Sequence, residues 1–464
     1  MGDEPVLLNF REVGRARIAF AGFPHERTKH LIRSARGIPL ETTPLDHQIL
    51  PASLFPLSAR AGGVFVGGVR SDDGAPAPYA QVRRHDLGQV VSPPGAEVAS
   101  PSAPAIREAV FGGVLFGGYG HVLLESLNRL WYASERPDLD ILFAGLPGHG
   151  DSAAWRLLKT LADLLGVDPG RLKLIVDPVR VARLHVPQPG LELGLRTSLP
   201  YVDFFRAALR AKVADTPGRE RVAYVSRSRL KGAVRRAYGE PALDEAFAAS
   251  GDAVYWPETL TLEEQVRAFN AHAAYVGLIG SHLHNLMLRY ADGPVDCAYL
   301  CSEAPNLNFL QIDMLFEGRR LYCACARYEP VFEFGNRAPF RIALDDAVHA
   351  LRAIDIHIPP PTAAPIDDAT FVEEWGYLLF HYKVFRPLEL RSTTHTLQKA
   401  GQEFRAAIMG LIDRLVRRQA DLDALRPALL EAYDRAASAH RSADQDVVRT
   451  GRALLENARN RSTF

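Results

Sequence analysis

Near residue 105 the spacing of apolar positions changes, and the change divides the chain. Up to about Ala105, short apolar runs are broken by Pro, Gly and Asp, as in AGGVFVGGVRSDDGAPAP (61–78), a pattern of strands and turns. Beyond it, apolar runs and helical patterns alternate. AVFGGVLF (109–116), DILFAGL (140–146) and RLKLIVD (171–177) read as strands, separated by the helical HVLLESLNRLWYAS (121–134) and AAWRLLKTLADLLGV (153–167). YVDFFRAALRAKVA (201–214) closes this series as a helix. After the break ADTPGRE (214–220) the alternation restarts with RVAYVS (221–226) and runs through RLYCACARY (320–328). Such alternation predicts parallel βα units and two Rossmann-like lobes.

The expected organisation is a β-rich N-terminal segment over 1–105, one Rossmann-like domain over 106–215, a second over 216–335, and a linker with helices over 336–464. The proline-rich IHIPPPTAAP (356–365) precedes charged amphipathic helices from about Thr393 to Asn460. These helices are expected to cap the lobes, and they offer a surface for homo-oligomer contact.

Composition narrows the function. A hydrophobic share of 47% and a charged share of 23% describe a globular protein, and a formal charge of zero gives no reason to expect nucleic acid or an anionic membrane as partner. The longest apolar stretch, Ala109 to Leu124, is glycine-rich and contains His121, so no membrane span is expected. Four cysteines clustered between Cys297 and Cys325 do not resemble a disulfide framework and suit a reducing, cytoplasmic setting. Their spacing is not that of a zinc site, and no metal is expected.

Three stretches could carry chemistry at the carboxyl ends of the sheets, where α/β proteins bind ligands. In FGGYGHVLLESLNRLW (116–131), His121 and Glu125 stand four apart on one helical face, suited to proton transfer from a hydroxyl. The plainer alternative is a His capping its own turn, with Glu125 and Arg129 pairing on the surface. A dinucleotide fingerprint would need glycine where Leu123 stands, which weakens a dehydrogenase. SRSRLKGAVRRAYGE (226–240) sets hydroxyls and guanidiniums after a strand, a pattern suited to a diphosphate or simply to solvent. GLIGSHLHNLMLRY (277–290) turns from strand to helix, so that free N–H groups could meet a phosphate, or only water. His282 and His284 fall on different faces there, which argues against a metal pair.

Taken in order, GGYGHVLLESLNRLW, VAYVSRSRL with Arg235, Arg236 and Glu240, PETLTLEEQVRAFNAHAAYVG and GSHLHNLML resemble the motifs of glycosyltransferase family 61. The resemblance runs from about Phe111 to Tyr328. It implies a GT-B fold of two facing Rossmann-like domains. It also implies inverting transfer of a sugar from a nucleotide donor, usually a UDP-sugar, to a glycan or glycoconjugate hydroxyl without an essential metal or a separate cofactor. Carried over, His121 and Glu125 fall on the acceptor-side, catalytic motif. Ser226, Arg227, Arg236 and Glu240 fall on the donor phosphate side, and Gly280, Ser281 and Asn285 on the second-lobe turn. His282 and His284 are the rings available there, because the family's histidine before the glycine is Ile279 in this chain. The asparagine before Glu240 is Gly239, and the acidic residue expected in the strand after the asparagine helix is not clearly present in GPVDCAYL, where only Asp296 is near. These departures leave one alternative, a non-catalytic sugar-nucleotide or glycan-binding scaffold of a polysaccharide biosynthesis complex.

Overall fold

The computed structural model describes residues 8–59, 65–73, 77–92, 99–213, 220–230, 237–327 and 340–362. The expected C-terminal helices and Arg236 lie outside them. The chain is mixed α/β and divides into two compact units. Both large sheets belong to the first unit, which takes in described residues up to Arg229, Ala246–Cys325 and Asp345–Pro359. The other unit contains a small sheet in which Ala237–Tyr238 pairs with Phe340–Ile342, and Phe340–Ile342 with Ala326–Arg327.

An eight-stranded sheet runs in the order Leu172–Ile175, Ile141–Ala144, Ala105–Val114, Val179–Pro187, His47–Ala59, Phe65–Ser71, Gly88–Ser92, Val82–Arg84. Its first four strands are mutually parallel, as the βα alternation predicts. The central strand Val179–Pro187 was not anticipated: VRVARLHVP lacks clean alternation. It is parallel to Ala105–Val114 on one side and antiparallel to His47–Ala59 on the other.

The seven-stranded second sheet runs Arg11–Val13, Ala16–Ala21, Gly318–Ala324, Asp296–Cys301, His272–Leu278, Glu220–Val225, Ala253–Tyr255. All its pairings are parallel except the first. The strand order reverses between Glu220–Val225 and His272–Leu278, which makes the carboxyl ends of these two strands the crevice where such sheets bind ligands. Strands of the first 105 residues are shared out: the hairpin at 11–21 extends this sheet, and most of the others extend the first.

One apolar cluster includes residues from both sheets, among them Val110, Phe143, Tyr275 and Tyr299. Beneath the second sheet, Asp313 and Arg320 are fully buried and paired at 2.9 Å, and Tyr299 and Tyr322 each donate to the same carboxylate at 2.5 Å. All four cysteines are free and buried. Among the described residues, no helix is long and apolar enough to cross a membrane.

Candidate active site

The first site grows from the end of Ala105–Val114. Gly118, at φ +93°, takes a conformation that L side chains rarely adopt and turns the chain into a single helical turn, Tyr119–His121. The expected long helix then departs from α geometry. Residues Val122–Ser126 widen into a π-type turn closed by Leu127 N–H to Val122 C=O at 3.3 Å, and a regular helix resumes only at Leu130–Glu135. Ser126 explains part of the break. Its hydroxyl donates to Val114 C=O at 2.8 Å and accepts from Phe116 N–H at 3.4 Å, binding the turn to the strand it has just left.

This turn joins His121 to Glu125. The imidazole Nδ1 lies 2.5 Å from Glu125 Oε2, and the histidine side chain is 46% exposed while that of glutamate is 3% exposed. The carboxylate is clamped from its other side by a residue that the sequence pattern did not reveal. Arg84 donates through Nε to Oε1 at 2.8 Å and through Nη2 to Oε2 at 2.9 Å. Burial raises the Glu125 pKa, but the hydrogen bonds from His121 and Arg84 outweigh it and hold the carboxyl below its ordinary value. Glu125 is therefore ionised and fully engaged. An ionised acceptor at Nδ1 places the histidine proton there and leaves Nε2 to accept a proton.

Arg129 does not pair with Glu125 on the surface, the plainer expectation for this helix. It is 1% exposed and donates to Tyr79 C=O, to Gln81 C=O at 3.3 Å and to Asn128 Oδ1 at 3.0 Å. These bonds hold the segment that leads into Val82–Arg84, and so they fix Arg84 against Glu125. A small polar hollow between that segment and the turn is lined by Arg83, Glu125, Asn128, Arg129 and Glu192.

The second sheet contributes the rest. Ser226 directly follows the strand Glu220–Val225 and is fully buried. Its hydroxyl donates to Ser228 Oγ and accepts from Ser228 N–H, both at 3.0 Å, so it shapes the loop. Trp256 Nε1 donates to Ser228 Oγ at 2.9 Å, and the Arg229 guanidinium stacks 3.6 Å over the Trp256 ring. Arg227 Nη1 would stand 3.3 Å from a Cβ at Gly280, and the His282 ring 3.0 Å from it, so glycine is what lets the two groups converge on the end of His272–Leu278. Burial, and next the charge of Arg227, push His282 well below its ordinary pKa, leaving a neutral ring. Ser281 is exposed at the start of the turn.

That turn, Ser281–Leu288, is a 3-10 helix where an ordinary helix was expected. Asn270 holds its far end: the side-chain oxygen accepts from Tyr290 and Ala291 N–H, and the amide donates to Leu288 C=O. Asn285 is fully buried and engaged internally, accepting from the Tyr119 hydroxyl and donating to Gln265 Oε1 at 2.7 Å. Gln265 in turn donates to Pro257 and Leu260 C=O. The motif residues Tyr119, Gln265 and Asn285 thus form one strut from the histidine turn to the helix Leu262–Ala271, whose start is closed by a Thr261–Glu264 capping box. His284 is buried beside Gly120 and Phe309.

Glu240 is buried at the start of Glu240–Ala249. Gly239 before it has φ +96°, like Gly118 a conformation that L side chains rarely adopt. Among the described residues, no group of three or more His, Cys, Asp or Glu converges to hold a metal.

The structure thus defines an α/β protein that sets His121 against Glu125 and Arg84 after a strand of one sheet, and Arg227 and His282 against Gly280 after a strand of another. Residues 119–294 match the glycosyltransferase 61 family model, which supports a glycosyltransferase. The match covers less than half of the chain, includes His121, Glu125, Arg227 and the Ser281–Leu288 turn, and leaves Arg84 outside. Comparison with curated proteins gives no match.

Proposed function

We propose that the chain is an inverting glycosyltransferase that moves a sugar from a nucleoside diphosphate donor, a UDP-sugar, to a hydroxyl of a glycan or glycoconjugate. The observation that carries this reading is the chain His121–Glu125–Arg84, in which an ionised, immobilised carboxylate accepts from Nδ1 and frees Nε2. The acceptor hydroxyl gives its proton to Nε2 as its oxygen attacks the anomeric carbon. The bond to the donor phosphate breaks on the opposite face, its electron pair leaves with the diphosphate, and the configuration inverts. Glu125 stabilises the imidazolium that forms, a role distinct from that of base.

Arg227 and the backbone at Gly280 and Ser281 lie at the strand-order reversal of the second sheet, and this reading assigns the leaving diphosphate to them. A guanidinium and backbone amides can neutralise its charge without a metal. A GT-B arrangement belongs to the same proposal, supported by a largely parallel seven-stranded sheet and by the four parallel strands that begin the eight-stranded one. The setting proposed is polysaccharide or glycoconjugate synthesis in the cytoplasm.

Thermal and chemical stability with UDP, GDP, CMP, dTDP and NAD, with and without EDTA, tests the donor side. A ligand bound only to the native state at a hundredfold excess over Kd adds about 2.7 kcal/mol. The reading expects this with UDP, undiminished by EDTA and weakened in Arg227→Ala. Stabilisation by none of the five would sink it.

A further inference from the structure

The guanidinium of Arg229 lies flat on the Trp256 indole. Its Cζ stands 3.6 Å from the ring centroid, which is contact distance for two carbons. A tilted guanidinium at that distance would drive a nitrogen into the ring, so the two planes are stacked. Arg229 is nevertheless an exposed residue: Trp256 covers one face of the plane, and the side chain remains open to solvent.

The indole beneath is held from several sides. Its Nε1 donates to Ser228 Oγ at 2.9 Å, and Ser228 N–H donates to the hydroxyl of buried Ser226 at 3.0 Å. Ser226 N–H donates to Tyr255 C=O at 2.8 Å, which ties the loop after Glu220–Val225 to the end of Ala253–Tyr255. The carbonyl of Trp256 accepts from Thr259 N–H at 2.9 Å and from the Thr259 hydroxyl at 2.8 Å. A solvated surface arginine needs no such support.

The position of the stack in the sheet gives it a role. Trp256 follows Ala253–Tyr255, Gly280 with Arg227 beside it follows His272–Leu278, and Glu220–Val225 lies between those two strands. Two strand spacings put these ends roughly 10 Å apart. A nucleoside diphosphate spans such a distance, with its base at one end and its phosphates at the other. A planar guanidinium suits the base, because nucleobases stack on arginine planes as they do on aromatic rings.

We propose that Arg229, backed by Trp256, is the stacking platform for the nucleobase of the donor. The inference rests on reading these strand ends as the nucleotide site, and it adds the group that holds the base. Every base has a π-face, so Arg229 supplies affinity and leaves the choice among bases to other contacts.

Calorimetry would follow the binding of UDP, GDP, CMP and dTDP to native protein and to Arg229→Ala, Arg229→Lys and Trp256→Leu, with melting curves showing that each is folded. The nucleotide that native protein binds should lose about tenfold in affinity in both Arg229 variants, within the range of one stacked base, because lysine restores the charge without the plane. Trp256→Leu removes the backing and should lose by a similar factor. Affinity within about twofold of native in Arg229→Ala, or in folded Trp256→Leu, overturns the platform. Native affinity in Arg229→Lys beside a loss in Arg229→Ala also overturns it, assigning Arg229 to a phosphate through its charge. If Trp256→Leu fails to fold, the two variants at exposed Arg229 decide. If native protein binds none of the four nucleotides, the reading of these strand ends as a nucleotide site falls and takes the platform with it.

Discussion

Removing Arg84 should destabilise the protein and disable the site together, because a single carboxylate links the two effects. In Arg84→Gln, Glu125 keeps its contact with His121 but loses two charged hydrogen bonds, at 2.8 and 2.9 Å, on a side chain that is 3% exposed. Taking one partner from a buried ion pair costs about 3–5 kcal/mol, because the remaining charge is left in a poor solvent. The surviving bond from His121 and the 14% exposure of the Arg84 side chain argue for the lower end, about 3 kcal/mol. Much of that is the penalty of a stranded charge, so Glu125→Gln in the same chain should recover part of it. Urea denaturation of native protein, both single variants and the double variant would give a coupling of about 2 kcal/mol, well outside the roughly 0.5 kcal/mol of independent sites. The acid limb of the kcat/KM profile should also move to higher pH in Arg84→Gln, because the carboxylate no longer stays ionised. Additive stabilities with an unmoved acid limb would refute the argument that Arg84 sets the state of Glu125.

Other outcomes follow from the same contacts. The His284 pKa falls from its ordinary 6.5 to about 3 by burial, so below pH 6.5 the unfolded chain binds a proton that the folded chain refuses. Stability should therefore fall as pH drops from about 6.5 towards 3, by up to about 1.4 kcal/mol per pH unit from this residue, and denaturation of His284→Phe across that range should show a shallower slope. The depressed Glu125 pKa adds loss of the same sign below the ordinary carboxyl range. Asn285→Ala strands the Tyr119 hydroxyl and the Gln265 side-chain oxygen, so it should cost about 1–3 kcal/mol and be non-additive with Gln265→Ala in a double-mutant cycle. Asp313→Ala should cost about 3–5 kcal/mol in denaturation, since Arg320 is fully buried.

The residues of the candidate site were more legible in the sequence than their supports. The strand–helix alternation locates both parallel sheets because each buried strand is a short apolar run and each helix has one apolar face. His121 and Glu125 were visible as an i, i+4 pair, and the structure brings them to 2.5 Å. Arg84 was not visible: it reaches Glu125 from a short strand 41 residues earlier in the chain, and such a contact leaves no local period. Arg129 was misjudged for a related reason. Spacing alone assigns it to a helix surface, whereas the π-type turn at Val122–Ser126 shifts the face it presents, and the carbonyls of Tyr79 and Gln81 receive it. The strand Val179–Pro187 carries Arg180, Arg183 and His185 and is flanked by Pro178 and Pro189, so it shows no apolar run although it pairs on both sides. Asn285 shows the converse, a motif residue whose polar atoms face inward and hold the turn's neighbours in place.

The most direct test of the central claim is transfer by His121→Ala, assayed with the nucleotide sugar that native protein binds and a panel of hydroxyl acceptors. Loss of a general base should lower kcat by about 10²–10⁴ while the donor binds as before. Turnover near the native rate with unchanged donor binding would contradict the account and remove His121 from the reaction.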